Sequence, residues 1–212
     1  MYRLHCFAQS GNTYKVALML NLCGLPWEPV FVDYFNGETR GERYRTDVNE
    51  MGEAPVLDIG GSKLLTQSGV ILDRLARETG KFAPQGEDER EECWRWILFD
   101  NHKFTSYFGT HRFLRTFVKG TDPAVLAFLR GRIEVAYGVT DKHLASHSFL
   151  LGERPTIADI SMCGYVFFSP EETGFDITAA YPAIDAWRNR IKALPGWKHP
   201  YDLMPGHPLP QG

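Results

Sequence analysis

The hydrophobic pattern changes character once, near residue 80, and that change limits the chain to a two-part molecule. Before it, strand and helix periods alternate. Tyr2 to Phe7 is a short apolar run suited to a strand. Val16, Met19, Leu20 and Cys23 then recur at helical spacing, and Gly24 fits a helix stop. Glu28 to Val32 is a second strand. Residues 33–52 are polar and read as loop with at most one short helix. Val56 to Ile59 and Lys63 to Leu65 flank Gly60-Gly61, a hairpin signal, and Ser68 to Arg77 is helical. The order is βαβ, a helix or loop, then ββα.

After residues 80–88, rich in Gly and Pro, only helical spacing is found. Cys93, Trp96, Ile97, Phe104, Tyr107, Phe108 and His111 share one face with Asp100. Pro123 opens a long helix reaching about Ser146. Thr156 and Asp159 form a variant capping box for another helix, and Pro182 to Leu194 is the next. The expected architecture is therefore α/β followed by all-α: residues 1–80, a linker at 81–87, and an all-helical domain over 88–212. The tail after Pro195 is rich in Pro, Gly and His.

Composition narrows the function. With 43% apolar residues, the 212-residue chain can build a sizeable core. A net charge of −3 argues against a general nucleic-acid or membrane-surface binder. No apolar run reaches the ~18 residues of a membrane span, and the start lacks a signal-peptide pattern. Cys6, Cys23, Cys93 and Cys163 are scattered without a Cys-x-x-Cys, which fits reduced thiols in the cytoplasm and no metal centre. His143 and His147 have metal-binding spacing but no third ligand nearby, and read as surface or packing residues.

Two stretches carry chemistry. Glu53-Ala54-Pro55-Val56-Leu57 reads as a turn entering a buried strand, where a proline leaves neighbouring backbone groups free to pair with a bound peptide. Leu65-Thr66-Gln67-Ser68-Gly69 reads as a strand turning into a helix, whose first N–H groups can hold an anion. Together they can cradle a small peptide with a free carboxylate.

Ala54-Pro55 and Gln67-Ser68 in a small α/β domain, a linker, and a helical domain with Gly152-x-x-x-Thr156-x-x-Asp159 make the chain resemble a cytosolic glutathione S-transferase along nearly its whole length. Ser10-Gly11-Asn12-Thr13-Tyr14-Lys15-Val16 is most similar to bacterial members with a Ser-Gly-Asn start. The resemblance implies a thioredoxin-like domain, a helical domain lining an electrophile site, a homodimer, and glutathione as co-substrate. The implied function is detoxifying transfer of glutathione to small hydrophobic electrophiles. A glutathione-dependent disulfide reductase or peroxidase, or a non-enzymatic binding or regulatory protein on the same fold, are the alternatives.

The resemblance places Ser10, and with it Asn12, as donors to the glutathione sulfur. Helix capping is the competing role for both. Pro55 would be cis and set the Ala54 backbone against the cysteinyl part. Gln67 and Ser68 would hold the γ-glutamyl carboxylate. Glu53, Arg40 and Thr39 are weaker candidates, and Arg43 is an alternative to Arg40, with a solvated surface charge the competing role for either arginine. Trp96, Phe99, Phe104, Tyr107, Phe108 and His111 are the electrophile-pocket candidates, with core or dimer packing as the competing role. Asp100, facing inward, would want a cationic partner. It is either the amino group of glutathione on a neighbouring subunit or an arginine. Cys6, inside a strand, reads as a buried small hydrophobe. The chain departs from the family at Asn49-Glu50-Met51-Gly52, which lacks the usual proline, and at Lys15, where Arg is common.

Overall fold

The computed structural model describes residues 1–209. These residues divide into two compact units, Met1–Ala83 with Leu194–Leu209, and Pro84–Ala193. The tail thus groups with the first unit, whereas the sequence pattern had assigned all of 88–212 to the helical domain.

The first unit is thioredoxin-like. Its strands β1 (Tyr2–Cys6), β2 (Trp27–Phe31), β3 (Val56–Asp58) and β4 (Leu64–Thr66) form one mixed sheet in the order β2-β1-β3-β4. β1 runs parallel to β2 and antiparallel to β3, and β4 is antiparallel to β3. Pro29 lies within β2, which is possible because β2 is an edge and one N–H per residue pair faces outward. Helix α1 (Gly11–Cys23) starts at Ser10 and stops at Gly24, which takes the left-handed conformation with φ +69. α2 (Glu42–Asp47) is the short helix within 33–52, preceded by one 3-10 turn, Glu38–Arg40. α3 (Ser68–Thr79) packs against α1. Leu4, Val16, Leu20, Leu57, Ile71, Leu72 and Leu75 are wholly buried and form the core between these elements and the sheet.

Every residue of α1 except Asn12 and Asn21 is buried. A helix this enclosed has no polar face to show water. Part of its cover is the returning tail: Tyr14 Oη donates to Lys198 O at 2.9 Å and Asn21 Nδ2 to Gly196 O.

The second unit is all-helical: α4 (Gly86–Phe99), α5 (Thr105–Thr116), α6 (Pro123–Leu144), α7 (Ile157–Met162), the single turns α8 (Pro170–Thr173) and α9 (Ile177–Ala180), and α10 (Pro182–Lys192). α11 (Pro200–Leu203) belongs to the tail. The aromatic-rich helix read from sequence is interrupted by a π turn, Asp100–Phe104, which separates α4 from α5. The Thr156–Asp159 capping box opens α7 as expected. Asp159 does more than cap. Its Oδ2 accepts from Thr156 N (2.8 Å) and Oγ1 (3.2 Å), and its Oδ1 accepts from Leu150 N (2.9 Å) and Trp187 Nε1 (3.0 Å). One buried carboxylate therefore ties α7 to the preceding loop and to α10.

Candidate functional site

Strand register brings the sequence-selected turns to one end of the sheet. Leu4 pairs with Leu57 and His5 with Val56, while Val56 pairs with Thr66. One step further, Cys6, Pro55 and Gln67 come level. The Phe7–Ser10 turn, the Ala54-Pro55 turn and the start of α3 therefore share an edge. Phe7, Val32 and Tyr44 form a small core beneath them, with Ala54 packed against it.

At this edge Ser10 caps α1. Its Oγ accepts from Thr13 N at 3.3 Å, and Ser10 N donates to Phe7 O at 3.0 Å. Capping uses the hydroxyl's lone pair and leaves its proton available to donate, so the capping role and a donor role coexist in one group. Among the described residues nothing accepts that proton. Asn12 Oδ1, two residues on, is buried and has no hydrogen-bond partner among the described residues. The O and N of an amide exchange by rotation, so this position can present either polarity.

The Ala54-Pro55 peptide bond is cis. The turn before it is held without the family's usual proline. Asn49 Nδ2 and Tyr44 Oη both donate to Glu53 O, at 2.9 and 3.0 Å, and Asn49 Oδ1 accepts from Met51 N at 3.1 Å. Gly52 (φ +68) is required here, since a Cβ would lie 2.7 Å from Thr39 O and from the Arg45 guanidinium. These anchors leave the N–H and C=O of Ala54 without a partner among the described residues.

Gln67 is the cap position of α3, with φ 64 and ψ 114, a backbone strained by about 1–3 kcal/mol for a non-glycine residue. Ser68 is thus the first helical residue. It is buried, and its N–H and that of Gly69, in the first turn of α3, have no partner among the described residues. The Gln67 side chain is exposed and donates to Glu53 Oε2 at 3.0 Å and to Met51 Sδ at 3.3 Å. Glu53 and Gln67 are therefore in contact. Arg40 is exposed beside Gly37 and has no ion-pair partner among the described residues. Arg43 forms a loose pair with Asp47 at 3.8 Å on the surface.

Glutathione S-transferase family models match both units: the N-terminal domain model over residues 9–78 and the C-terminal domain model over 103–195. A solved glutathione S-transferase from Pseudomonas fluorescens is 32% identical, with TM-score 0.84, covering 93% of this chain and 97% of that one. The chain belongs to the glutathione S-transferase family. A second family structure, from Xanthobacter autotrophicus, is 30% identical with TM-score 0.85, covering 95% and 98%. The Escherichia coli disulfide-bond oxidoreductase YfcG is 28% identical over 194 residues, 89% of each chain.

In this glutathione S-transferase family member most of the aromatic candidates of the helical unit are committed to its core. Phe104 and Phe108 stack on Tyr137 with ring centroids 4.2 and 5.3 Å apart. Trp96 is buried against His143 at 4.6 Å and donates from Nε1 to Glu92 at 3.0 Å. His111 is buried edge-on to Phe175 at 5.2 Å, and burial lowers its pKa, so it stands neutral at pH 7. Only Phe99 and Tyr107 keep accessible surface. Asp100 is wholly buried, and accepts from Thr105 Oγ1 at 2.5 Å and Ser161 Oγ at 2.6 Å.

Cys6 is buried in β1, and burial pushes its thiol up to about 12, so it stays protonated. His143 and His147 stack at 4.2 Å, with His143 Nε2 on Leu150 O at 2.9 Å. Among the described residues no cluster of three metal-ligating side chains is found, and no helix is long and apolar enough to cross a membrane. Sequence reasoning missed Gln9, which is buried in the first unit and carries no local pattern. Lys15, marked in the sequence only as a departure from the family, is wholly buried there, and so is most of the His207 side chain of the Pro-, Gly- and His-rich tail.

Proposed function

We propose that the protein is a glutathione transferase of the Ser-Gly-Asn type, in which Ser10 holds the glutathione sulfur as a thiolate for attack on small apolar electrophiles. The observation that carries this reading is the Ser10 hydroxyl: it caps α1 with its lone pair and keeps its proton free at the sheet edge shared by Ala54-Pro55 and Gln67-Ser68.

A free thiol has pKa ~8.5, and lowering it by two units takes about 2.7 kcal/mol of preferential thiolate stabilisation. A donated O–H bond to a charged acceptor supplies about 1.5–3 kcal/mol. The N-terminus of α1, the Ser10 hydroxyl and the Asn12 amide, turned to present Nδ2, act together. The thiol proton leaves to solvent. The thiolate forms the C–S bond, and the leaving group departs with its electron pair.

The unpaired N–H and C=O of Ala54 bond the cysteinyl backbone. Gln67, the Ser68 hydroxyl and the free N–H groups of Ser68 and Gly69 hold the γ-glutamyl carboxylate. Glu53 orients the Gln67 amide, and Arg40 faces the glycyl carboxylate. Gln67→Ala is expected to raise KM for glutathione about tenfold, with kcat changed less than about twofold, in steady-state assays across glutathione concentration. An equal fall in kcat would remove Gln67 from a binding role. Phe99 and Tyr107 are the aromatic surfaces left for the electrophile.

A second reading, a glutathione-dependent disulfide reductase in the cytoplasm, is favoured by the similarity to YfcG and by the unpaired amide of Asn12. Comparing a chlorinated nitrobenzene with hydroxyethyl disulfide decides between them. Turnover of the disulfide alone would replace the transferase reading, and failure to be retained on immobilised glutathione would point to a binding or regulatory protein.

The homodimer belongs to the same reading. Val125, Phe128, Val135 and Val139 are 43, 59, 66 and 50% exposed and share one face of α6 with Arg132, whose guanidinium lies over the Phe128 ring; a second copy can cover this largely apolar face. Val135→Glu is expected to shift the protein toward monomer in sedimentation velocity. An unchanged sedimentation coefficient would place the dimer contact elsewhere.

A further inference from the structure

The tail returns to the turn that presents Ser10. After passing Asn21 and Tyr14 along α1, it reaches Phe7–Ser10. Ala8 N donates to Pro205 O at 2.8 Å. The buried Gln9 amide then clasps the backbone of His207, Nε2 donating to His207 O at 2.6 Å and Oε1 accepting from His207 N at 3.1 Å. Gly206 lies between these bonds, where a Cβ would sit 2.9 Å from Ala8 Cβ and 3.0 Å from Gln9 Oε1. The His207 ring is enclosed by Phe35, Phe31 and Phe7, with centroids 4.4, 5.0 and 5.9 Å away, and its Nδ1 is 3.6 Å from Asp33 Oδ1.

Ala8 and Gln9 are the two central residues of the turn closed by Ser10 N on Phe7 O. The strap therefore holds the two residues that set the direction of Ser10, and it makes no bond to Ser10 itself. We propose that Gln9, clasped by residues 205–207, is a positioning residue that aims the Ser10 hydroxyl at the glutathione sulfur. This rests on the reading of Ser10 as the thiolate donor. A hydrogen bond to sulfur is directional, and a displacement of about 1 Å can cost on the order of a hundredfold in rate. The glutathione grip at Ala54, Gln67 and Ser68 lies on other segments, so loss of the clasp separates thiolate formation from binding.

Two variants test this from opposite sides. Gln9→Ala removes the clasp, and Gly206→Val, at an exposed tail position, forces the strap away. Both are checked for folding by thermal melt, and Gly206→Val carries the test if Gln9→Ala fails to fold. The readouts are the pKa of enzyme-bound glutathione, from the pH dependence of thiolate absorbance, and the split between kcat and KM. The expected result is a bound thiol pKa raised by about one unit and kcat lowered about three- to eightfold at neutral pH, with KM for glutathione changed less than about twofold. Gln9→Asn, which shortens the clasp but keeps the amide, should recover part of both. Folded variants with the wild-type thiol pKa, or with only KM raised, would overturn the proposal. An unmodified protein that binds glutathione with an ordinary thiol pKa would remove the Ser10 reading as well. A depressed wild-type pKa unchanged in both variants overturns this inference alone.

Discussion

Ser10→Ala is expected to raise the pKa of bound glutathione by about one to two units, the equivalent of losing one hydrogen bond to a charged acceptor. At pH 7 the thiolate fraction, and with it kcat, should fall about three- to twenty-fivefold. KM for glutathione should move little, because Ser10 touches only the sulfur in this account. The same substitution removes the cap on Thr13 N, at a cost of about 1 kcal/mol of stability. Ser10→Thr separates the two effects, since threonine keeps both a capping oxygen and a donor proton. It should restore stability and most of the thiolate. Titration of thiolate absorbance in the three proteins checks this. A bound thiol pKa that is the same with serine and alanine at position 10 would take Ser10 out of the chemistry and leave it a cap. Asn12 would then be the remaining donor candidate.

Asp159→Ala should produce the largest loss of stability. The substitution leaves Leu150 N, Thr156 N and Trp187 Nε1 buried without their acceptor. Each orphaned buried donor costs about 1–3 kcal/mol, partly relieved by relaxation, so the net loss should be about 3–4 kcal/mol. For a chain of this size that lowers Tm by roughly 10 °C. Asp159→Asn keeps one acceptor oxygen but turns an amide N–H toward existing donors, and should fall between. Turnover per folded molecule is expected to stay near the original value, because Asp159 acts entirely within the helical unit. Calorimetry together with assays normalised to folded protein checks both parts. A fully folded Asp159→Ala protein with lost turnover would contradict the purely structural role.

The fold was legible where local rules act. Alternating periods up to residue 80, Gly24 ending α1, Gly60-Gly61 between β3 and β4, and the Thr156–Asp159 box each carry their own signal within a few residues. The two turns at the sheet edge were legible for the same reason, because Ala54-Pro55 and Gln67-Ser68 are short motifs at strand ends. What escaped sequence reading is non-local. Gln9 and His207 are separated by 198 positions, and nothing near either one announces the clasp. Four of the six aromatic pocket candidates proved to be core, since helical spacing shows that residues share a face but not what that face meets. Asp100 accepts from the hydroxyls of Thr105 and Ser161, the second supplied by α7, 61 positions away in sequence. The π turn at Asp100–Phe104 has no mark in the sequence pattern. The turn that lacks the family's proline is held from further away, by Asn49 and Tyr44, which fix Glu53 O directly.

The central claim is that this edge of the sheet binds glutathione and ionises it. The most direct test is the pH titration of thiolate absorbance for glutathione bound to the unmodified protein. The account predicts half-ionisation about one to two units below the ~8.5 of a free thiol. A saturated complex whose thiol titrates at the free value would contradict it.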